Sequence, residues 1–388
     1  MTSFDDTEEL ALMRASVRGL IARHCPPERI IAWEERDTIP RVLIDVMAEQ
    51  GLLGLTVPEE YGGAGLGALA MVVVMEELAA AWQGVCALYN QSVGYGSLSI
   101  VSKGSEQQRH RFLPELLGGR MLCAYALSEP EVGADLTSVT TRAERVGDSV
   151  LLNGAKRWVS GADLADYMIT LVRSGPLEER RRNLSLVMVP TRAEGVTLLR
   201  TPCMGTKGVA THDVMLDNVR IPFDLVLGEE DGWNRGWDML AGPVLEIEKL
   251  VPTTIAFGTA RAALDEAWEY SQTRRQFGKR ICAHQSVRHM LVEARTNLEA
   301  CRLMLYNAAA RVDSGAPSAV ETSMAKLFVA EQCKTIVLTC QQVMGAYGYA
   351  KGFQMERYVR DILAVPIYGG SSAIQRNNLA SLLRLPKD

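Results

Sequence analysis

The chain has 388 residues, 47% of them apolar, which is enough for a large buried core and more than one folding unit. A net charge of −5 and a pI near 5.7, with no clustered Lys/Arg surface, argue against a nucleic-acid partner. The acidic start MTSFDDTEEL lacks a signal or transit pattern, and the longest mostly apolar stretch, residues 68–75, is too short to span a bilayer, so a cytoplasmic protein without a membrane span is expected.

The first segment, residues 1–117, reads as a helical domain. Asp6 and Glu9 form a capping-box start, followed by Leu10, Met13, Val17 and Leu20 at helical spacing. A second helix over 41–50 stops at Gly51. VPEEYGGAGLG is a loop, ALAMVVVMEELAAAW a buried helix, and another helical stretch begins at Gln91. GAGLGA, residues 63–68, matches a dinucleotide fingerprint on paper. However, no strand runs into it, and the acid expected after a second strand falls in helix at Glu76 and Glu77.

The second segment, residues 118–228, changes character. Short β-rich pieces alternate with turn residues: SVLLNG, KRWVSG, YMITLVR, LSLVMVP, VTLLR and DVMLDNVRIP. This spacing predicts a small β-sandwich or barrel domain. Between two of the strands, RSGPLEERRRN is a basic loop, either a solvated hairpin tip or a contact for a phosphate. The third segment, residues 229–388, returns to helix, most clearly over 285–312 and 319–344, and is expected to be a four-helix-bundle domain. The fold class is therefore α+β, mainly α, and the order of helices, strands, helices excludes a doubly wound βαβ fold.

Cys25, Cys86, Cys123, Cys203, Cys282, Cys301, Cys333 and Cys340 form no C-x-x-C pair and lie mostly in apolar runs, as buried thiols do. His284 and His289 are five apart and cannot share a helix face, so no metal site is expected.

Four stretches carry the chemistry: AYALSEPEVGADLTSVTTRAE from Ala124, LNGAKRWVSGADLADYMI from Leu152, YSQTRRQFGKRICAHQSVRHML from Tyr270, and QQVMGAYGYAKGFQMERYVRDILAVPIYGGSSAIQR from Gln341. In this order and spacing they resemble the acyl-CoA dehydrogenase family, over nearly the whole chain. The resemblance implies FAD as cofactor and oxidation of the Cα–Cβ bond of an acyl-CoA thioester to a trans-2-enoyl thioester. A base takes the α-proton and the flavin takes the β-hydrogen as hydride. Tyr125, Leu127 and Ser128 then resemble residues lining the flavin ring, while Gly133 and Ala134 lie near the thioester, with Ala134 replacing the usual serine. Trp158 and Ser160 resemble the pair that packs on and hydrogen-bonds the flavin.

Arg274, Phe277 and Gln285 resemble residues reaching the pyrophosphate and adenine end of FAD on a neighbouring subunit, a role suited to the bidentate guanidinium. Gln342, Gly345 and Ala346 resemble the glycine turn approaching FAD across that interface, with Ala346 in place of a second glycine. A shared site implies a homodimer or homotetramer. Electron-transfer flavoprotein or a similar acceptor would be the redox partner.

Many members of the family carry a catalytic glutamate directly after the tyrosine of this last motif. Here Tyr368 is followed by Gly369, which has no side chain, while Ser371 can still bond the cofactor. In a second arrangement the base comes from the first helix of the C-terminal domain. By the resemblance Glu248 falls at that position, and Glu246 and Lys249 fall near the thioester or pantetheine, alongside Tyr368 and Gly369. Glu246 and Glu248 are about 200° apart around a helix and cannot face one ligand. Pro252 cannot donate to the Glu248 carbonyl, which predicts a kink there. This branch also includes enoyl-CoA reductases. An acyl-carrier-protein substrate, or a flavoprotein that binds acyl-CoA without turnover, are the remaining alternatives.

Overall fold

The computed structural model describes residues 7–386. The first helix, α1 (Glu8–His24), is capped by Thr7, whose Oγ1 accepts from the Leu10 amide at 3.3 Å. The expected cap at Asp6 lies outside the described residues. Helices α2 (Pro27–Arg36), α3 (Val42–Glu49), α4 (Ala68–Ala81) and α5 (Gln83–Asn90) follow. Next come a π-helical turn over Gln91–Ser97, then α6 (Leu98–Lys103) and α7 (Glu106–Leu117). A π-turn re-aims the side chains after it and recurs at functional sites. α7 has the full Ser105–Gln108 capping box.

The strands are β1 (Cys123–Ala126), β2 (Arg142–Val146), β3 (Ser149–Ser160), β4 (Tyr167–Arg173), β5 (Leu184–Pro190), β6 (Val196–Thr201) and β7 (Thr211–Pro222). They form one seven-stranded sheet in the order β1-β4-β2-β3-β7-β6, with β5 pairing β4. The pieces read as SVLLNG and KRWVSG are a single strand. Register shifts against β7 between Leu152 and Gly154, and between Lys156 and Val159, bend β3 without ending it.

After the short helices α8 (Glu229–Gly232) and α9 (Gly236–Leu240) comes α10 (Val244–Thr273), then a hairpin of β8 (Arg275–Gln276) and β9 (Lys279–Arg280). The chain ends with α11 (Gln285–Asp313), α12 (Ala319–Met344), α13 (Met355–Ile362) and α14 (Ser372–Leu382). α10 packs on α12, α11 and α4, so one helical core joins the N- and C-terminal helices, while the sheet and α7 share a second core. Residues 250–260 of α10, just after Glu248, are buried. Helix α10 continues through Pro252. The hydroxyls of Thr253 and Thr254, just beyond it, donate to the Lys249 and Leu250 carbonyls, each at 2.7 Å.

The glycine loop GAGLGA follows a 3₁₀ turn, not a strand. The amides of Ala68 and Leu69 at the start of α4 donate to the Asp313 carboxylate at 2.5 and 3.0 Å. A side chain of the same protein thus occupies the helix N-terminus where a dinucleotide phosphate would sit. Cys25, Cys86, Cys123, Cys301, Cys333 and Cys340 are buried free thiols. Among the described residues no helix is long and apolar enough to cross a membrane.

Candidate active site

Glu248 lies one turn into α10 and turns toward α6 and β1. Its Oε1 accepts from Lys103 Nζ at 2.9 Å and from the Tyr125 hydroxyl at 2.9 Å. Lys103 also reaches the Tyr125 oxygen at 3.0 Å and Ser99 Oγ at 3.5 Å, and Ser99 and Tyr125 share a hydrogen bond of 2.5 Å. The Lys103 side chain is 1% exposed and that of Glu248 20%. Burial and the Glu248 charge push the Tyr125 phenol well above its ordinary range, so it stays a donor. Tyr95, stacked on Tyr125 with centroids 4.6 Å apart, is pushed up to about 12 by burial and the same charge. The polar cluster therefore contains one carboxylate, one ammonium and two phenols that remain protonated.

Glu246 points the other way. It accepts from Lys249 at 2.8 Å and from the Thr322 hydroxyl, and Lys249 also reaches Ser323 at 3.1 Å on α12. The two glutamates thus diverge around the helix, as their spacing of two requires. Lys249, buried and committed to these partners, ties α10 to α12.

The turn holding Tyr368 and Gly369 meets α10 at the same place. Gly369 has φ +62°, and a Cβ built on it would lie 3.0 Å from Cγ of Pro252, one turn beyond Glu248. The two candidate base positions of the sequence therefore converge on one patch of α10. Any side chain at Gly369 would be both strained and crowded. Tyr368 sits with its ring 5.7 Å from Lys326 Nζ, and Lys326 donates to the Val365 carbonyl at 2.6 Å. Ser371 Oγ caps α14 by accepting from the Ile374 amide.

At the sheet, Ser128 Oγ donates to the Arg157 carbonyl at 2.8 Å, and the Arg157 amide donates to the Ser128 carbonyl at 2.9 Å. The carbonyl of Leu127 accepts from Lys156 at 3.1 Å. These bonds fix the segment after β1 against the bulge of β3. There Trp158 has φ +65°, a left-handed backbone that leaves its indole 55% exposed, so it is not a core aromatic. Ser160 ends the same strand, paired with Thr211. Gly133 and Ala134 form an open, exposed bend after the Glu129–Val132 bridge. From the basic loop, Arg180 crosses to Asp135 at 3.0 Å.

Glu129 anchors this region and was not singled out in the sequence. Its carboxylate accepts from Lys156 at 2.9 Å and from the Thr140 and Thr141 amides at 2.7 and 2.9 Å. Burial opposes its charge, but Lys156 and these donors outweigh it and hold the carboxyl at about 2. A depressed carboxyl contributes stability that is fully present above the ordinary value of 4.5 and lost as pH falls through about 2. We expect Glu129→Gln to weaken the protein at pH 7 and to flatten the loss of stability between about pH 4.5 and 2. Urea midpoints measured across that range check it.

A third group of predicted residues is far from Glu248 in sequence and lies on the outer surface. Phe277, 93% exposed with φ +49°, tips the β8–β9 hairpin, and Gln285 opens α11 just after it. The Arg274 guanidinium lies 5.5 Å from the Tyr347 ring, joining the RRQFG segment to the turn that follows α12. Gln342, in the last turn of α12, and Gly345 and Ala346, on the turn after it, are exposed. Sequence reasoning named this set but missed Lys103, Ser99 and Tyr95. Their spacing of four, at 95, 99 and 103, is shared with other polar residues of the same stretch, Gln91, Ser92, Ser97 and Ser102, so it gave no distinguishing signal.

A partly exposed carboxylate on the first long helix of a C-terminal bundle, bonded to the first strand of a curled sheet that carries an outward indole, is the arrangement the sequence resemblance implies for a flavin-dependent enzyme acting on activated acyl groups. The comparisons agree. The N-terminal, middle and C-terminal domains described for acyl-CoA dehydrogenases match residues 7–120, 124–219 and 234–383, and this chain belongs to the acyl-CoA dehydrogenase family. It is 34% identical to a 3-(aryl)acrylate reductase of Clostridium sporogenes, over 97% of this chain and 99% of that protein. It is 32% identical to the caffeyl-CoA reductase-Etf complex subunit CarC of Acetobacterium woodii, over 97% and 98%. The butyryl-CoA dehydrogenase structure from Megasphaera elsdenii superposes with a TM-score of 0.93 at 26% identity, covering 99% of this chain and 100% of that one. The family consists of FAD-binding oxidoreductases acting on CH–CH groups. Exposed aromatic rings at Trp158 and Phe277, hydroxyls at Ser128 and Ser160, and Arg274 beside Tyr347 fit such a cofactor, offering flat apolar surface, polar contacts and a cation for pyrophosphate.

Proposed function

We propose that this protein interconverts an acyl-CoA and its trans-2-enoyl-CoA, with Glu248 as the group that exchanges the α-proton. The observation that carries this reading is the placement of Glu248. It is a partly exposed carboxylate whose Oε1 is fully engaged, one turn from the Pro252–Gly369 contact where the alternative base would stand. Bound FAD supplies the two-electron exchange with the β-carbon. Trp158, Ser128, Ser160 and Leu127 would hold its ring system. Arg274, Phe277, Gln285 and the Gln342–Gly345–Ala346 turn would hold its adenine end on a second copy of the chain, giving a homodimer or homotetramer. Gly133 and Ala134 would admit the thioester.

The direction of reaction is supported as reduction by the names of two relatives, 34% and 32% identical over nearly their full lengths, and one of these is a subunit of an Etf complex. An electron-transferring flavoprotein is the corresponding partner. The same residues serve either direction, because the proton that Glu248 removes in oxidation is the one it returns in reduction. An anaerobic spectral titration tests both readings. Acyl-CoAs of varied chain are added to the yellow oxidised protein, and aryl and alkyl enoyl-CoAs to the dithionite-reduced protein. Bleaching by one saturated class, or recovery of colour by one enoyl class, is expected. A flavin spectrum unmoved in both arms would leave a thioester-binding flavoprotein without turnover.

A further inference from the structure

We propose that Lys103 is the positioning residue that clamps Oε1 of Glu248, so that Oε2 is the oxygen presented to substrate. This rests on the reading of Glu248 as the proton-exchanging group. A carboxylate on a helix can rotate, and either oxygen could then meet the α-hydrogen. Here the two are not equivalent. Oε1 takes two donors, Lys103 Nζ and the Tyr125 hydroxyl, both at 2.9 Å. Among the described residues Oε2 takes none, although the side chain keeps 20% of its surface open.

The clamp is itself held rigidly. Lys103 is the last residue of α6, and its side chain is 1% exposed. A buried ammonium must have its charge and its three donors compensated. Its partners are Glu248, Tyr125 and Ser99, and nothing else is within hydrogen-bond reach among the described residues. Tyr125 is fixed in turn by its bond to Ser99 and by stacking on Tyr95. By contrast, the second lysine–glutamate pair of this helix, Lys249–Glu246, is spent on α12 through Thr322 and Ser323 and offers no free oxygen toward the same space.

In the proton step, the Cα–H bond of the thioester breaks, its electron pair stays on the substrate, and the proton goes to Oε2. Glu248 becomes a neutral acid whose Oε1 keeps both donors, so the geometry is already set for the return transfer. Positioning of this kind is worth a great deal, since a displacement of about 1 Å can cost on the order of 100-fold in rate.

The test separates proton exchange from redox. A 3-thia-acyl-CoA has sulfur in place of the β-carbon and cannot lose a β-hydride, yet its α-hydrogens can exchange with D2O. Exchange is followed by mass spectrometry on the FAD-loaded full chain. Lys103→Met is expected to slow exchange about 100-fold while changing the analogue's Kd by less than roughly threefold, and Lys103→Arg to recover part of the rate. A Lys103→Met rate within roughly threefold of the parent, with Glu248→Gln inert, overturns the clamp alone. Parental exchange in Glu248→Gln overturns the base reading and the clamp with it. If Lys103→Met fails to take up FAD, Tyr125→Phe decides. Loss of one bond to a charged acceptor is expected to slow exchange roughly tenfold, and an unchanged rate overturns the proposal.

Discussion

Glu248→Gln should lower kcat by about 10²–10⁴-fold, the usual worth of a positioned acid–base group, while FAD stays bound. The substitution is nearly isosteric. The amide oxygen can still accept from Lys103 and Tyr125, both 2.9 Å from Oε1 in the parent, so the cluster has little reason to collapse. The amide cannot take a proton at the other position, and that is the loss the experiment reads. Stopped-flow bleaching of the flavin by substrate, with the flavin absorption band recorded beforehand, separates loss of chemistry from loss of cofactor. Full activity in Glu248→Gln would place the base elsewhere. Gly369 could not replace it, because it has no side chain and lies against Pro252.

The second large effect is on stability. Glu77, on α4, is 4% exposed and accepts from Arg14 at 2.5 Å, from Arg18 at 2.9 Å, and from both terminal nitrogens of Arg261 at 2.9 Å. Its neighbour Glu76 pairs with Arg14 at 3.1 Å and with Arg261, and accepts from the Tyr306 hydroxyl at 2.7 Å. Four helices, α1, α4, α10 and α11, thus meet in one buried network that fastens the N-terminal helices to the C-terminal bundle. Burial opposes the charge of Glu77, but Arg261, Arg18 and Arg14 outweigh it and hold the carboxyl at about 2. Glu77→Ala removes one of the two buried carboxylates that bind Arg14 and Arg261 and should cost about 3–5 kcal/mol. Arg18→Ala, at a side chain 59% exposed, should cost less than about 1 kcal/mol. Urea unfolding at one fixed protein concentration and saturating FAD compares them. Equal, small losses for both would mean the network is not what joins the two helical regions.

Both effects come from residues that looked alike in the sequence. Glu76 and Glu77 entered there only as a misplaced ribose acid, and Lys103 not at all. Local pattern could not rank them, because a charged residue in an apolar helix reads the same whether its partner is solvent, a neighbouring helix or a ligand. What distinguishes them is contact across large sequence separations: Lys103 with Glu248, Tyr125 with Glu248, and Arg14 and Arg261 with Glu77.

The sequence by itself determined the order of helices, sheet and helices. It also determined the bounds of α12, the vacancy of a side chain at Gly369, and the divergence of Glu246 from Glu248, since periodicity, side-chain chemistry and helical angle are local properties. Only the tertiary structure decided that β3 runs unbroken through two register shifts and turns Trp158 outward. It also decided that Asp313 fills the helix N-terminus after the glycine loop, and that one oxygen of Glu248 is clamped while the other is open. Those outcomes depend on which distant groups burial brings together, and a buried charge takes whichever partner the packing supplies.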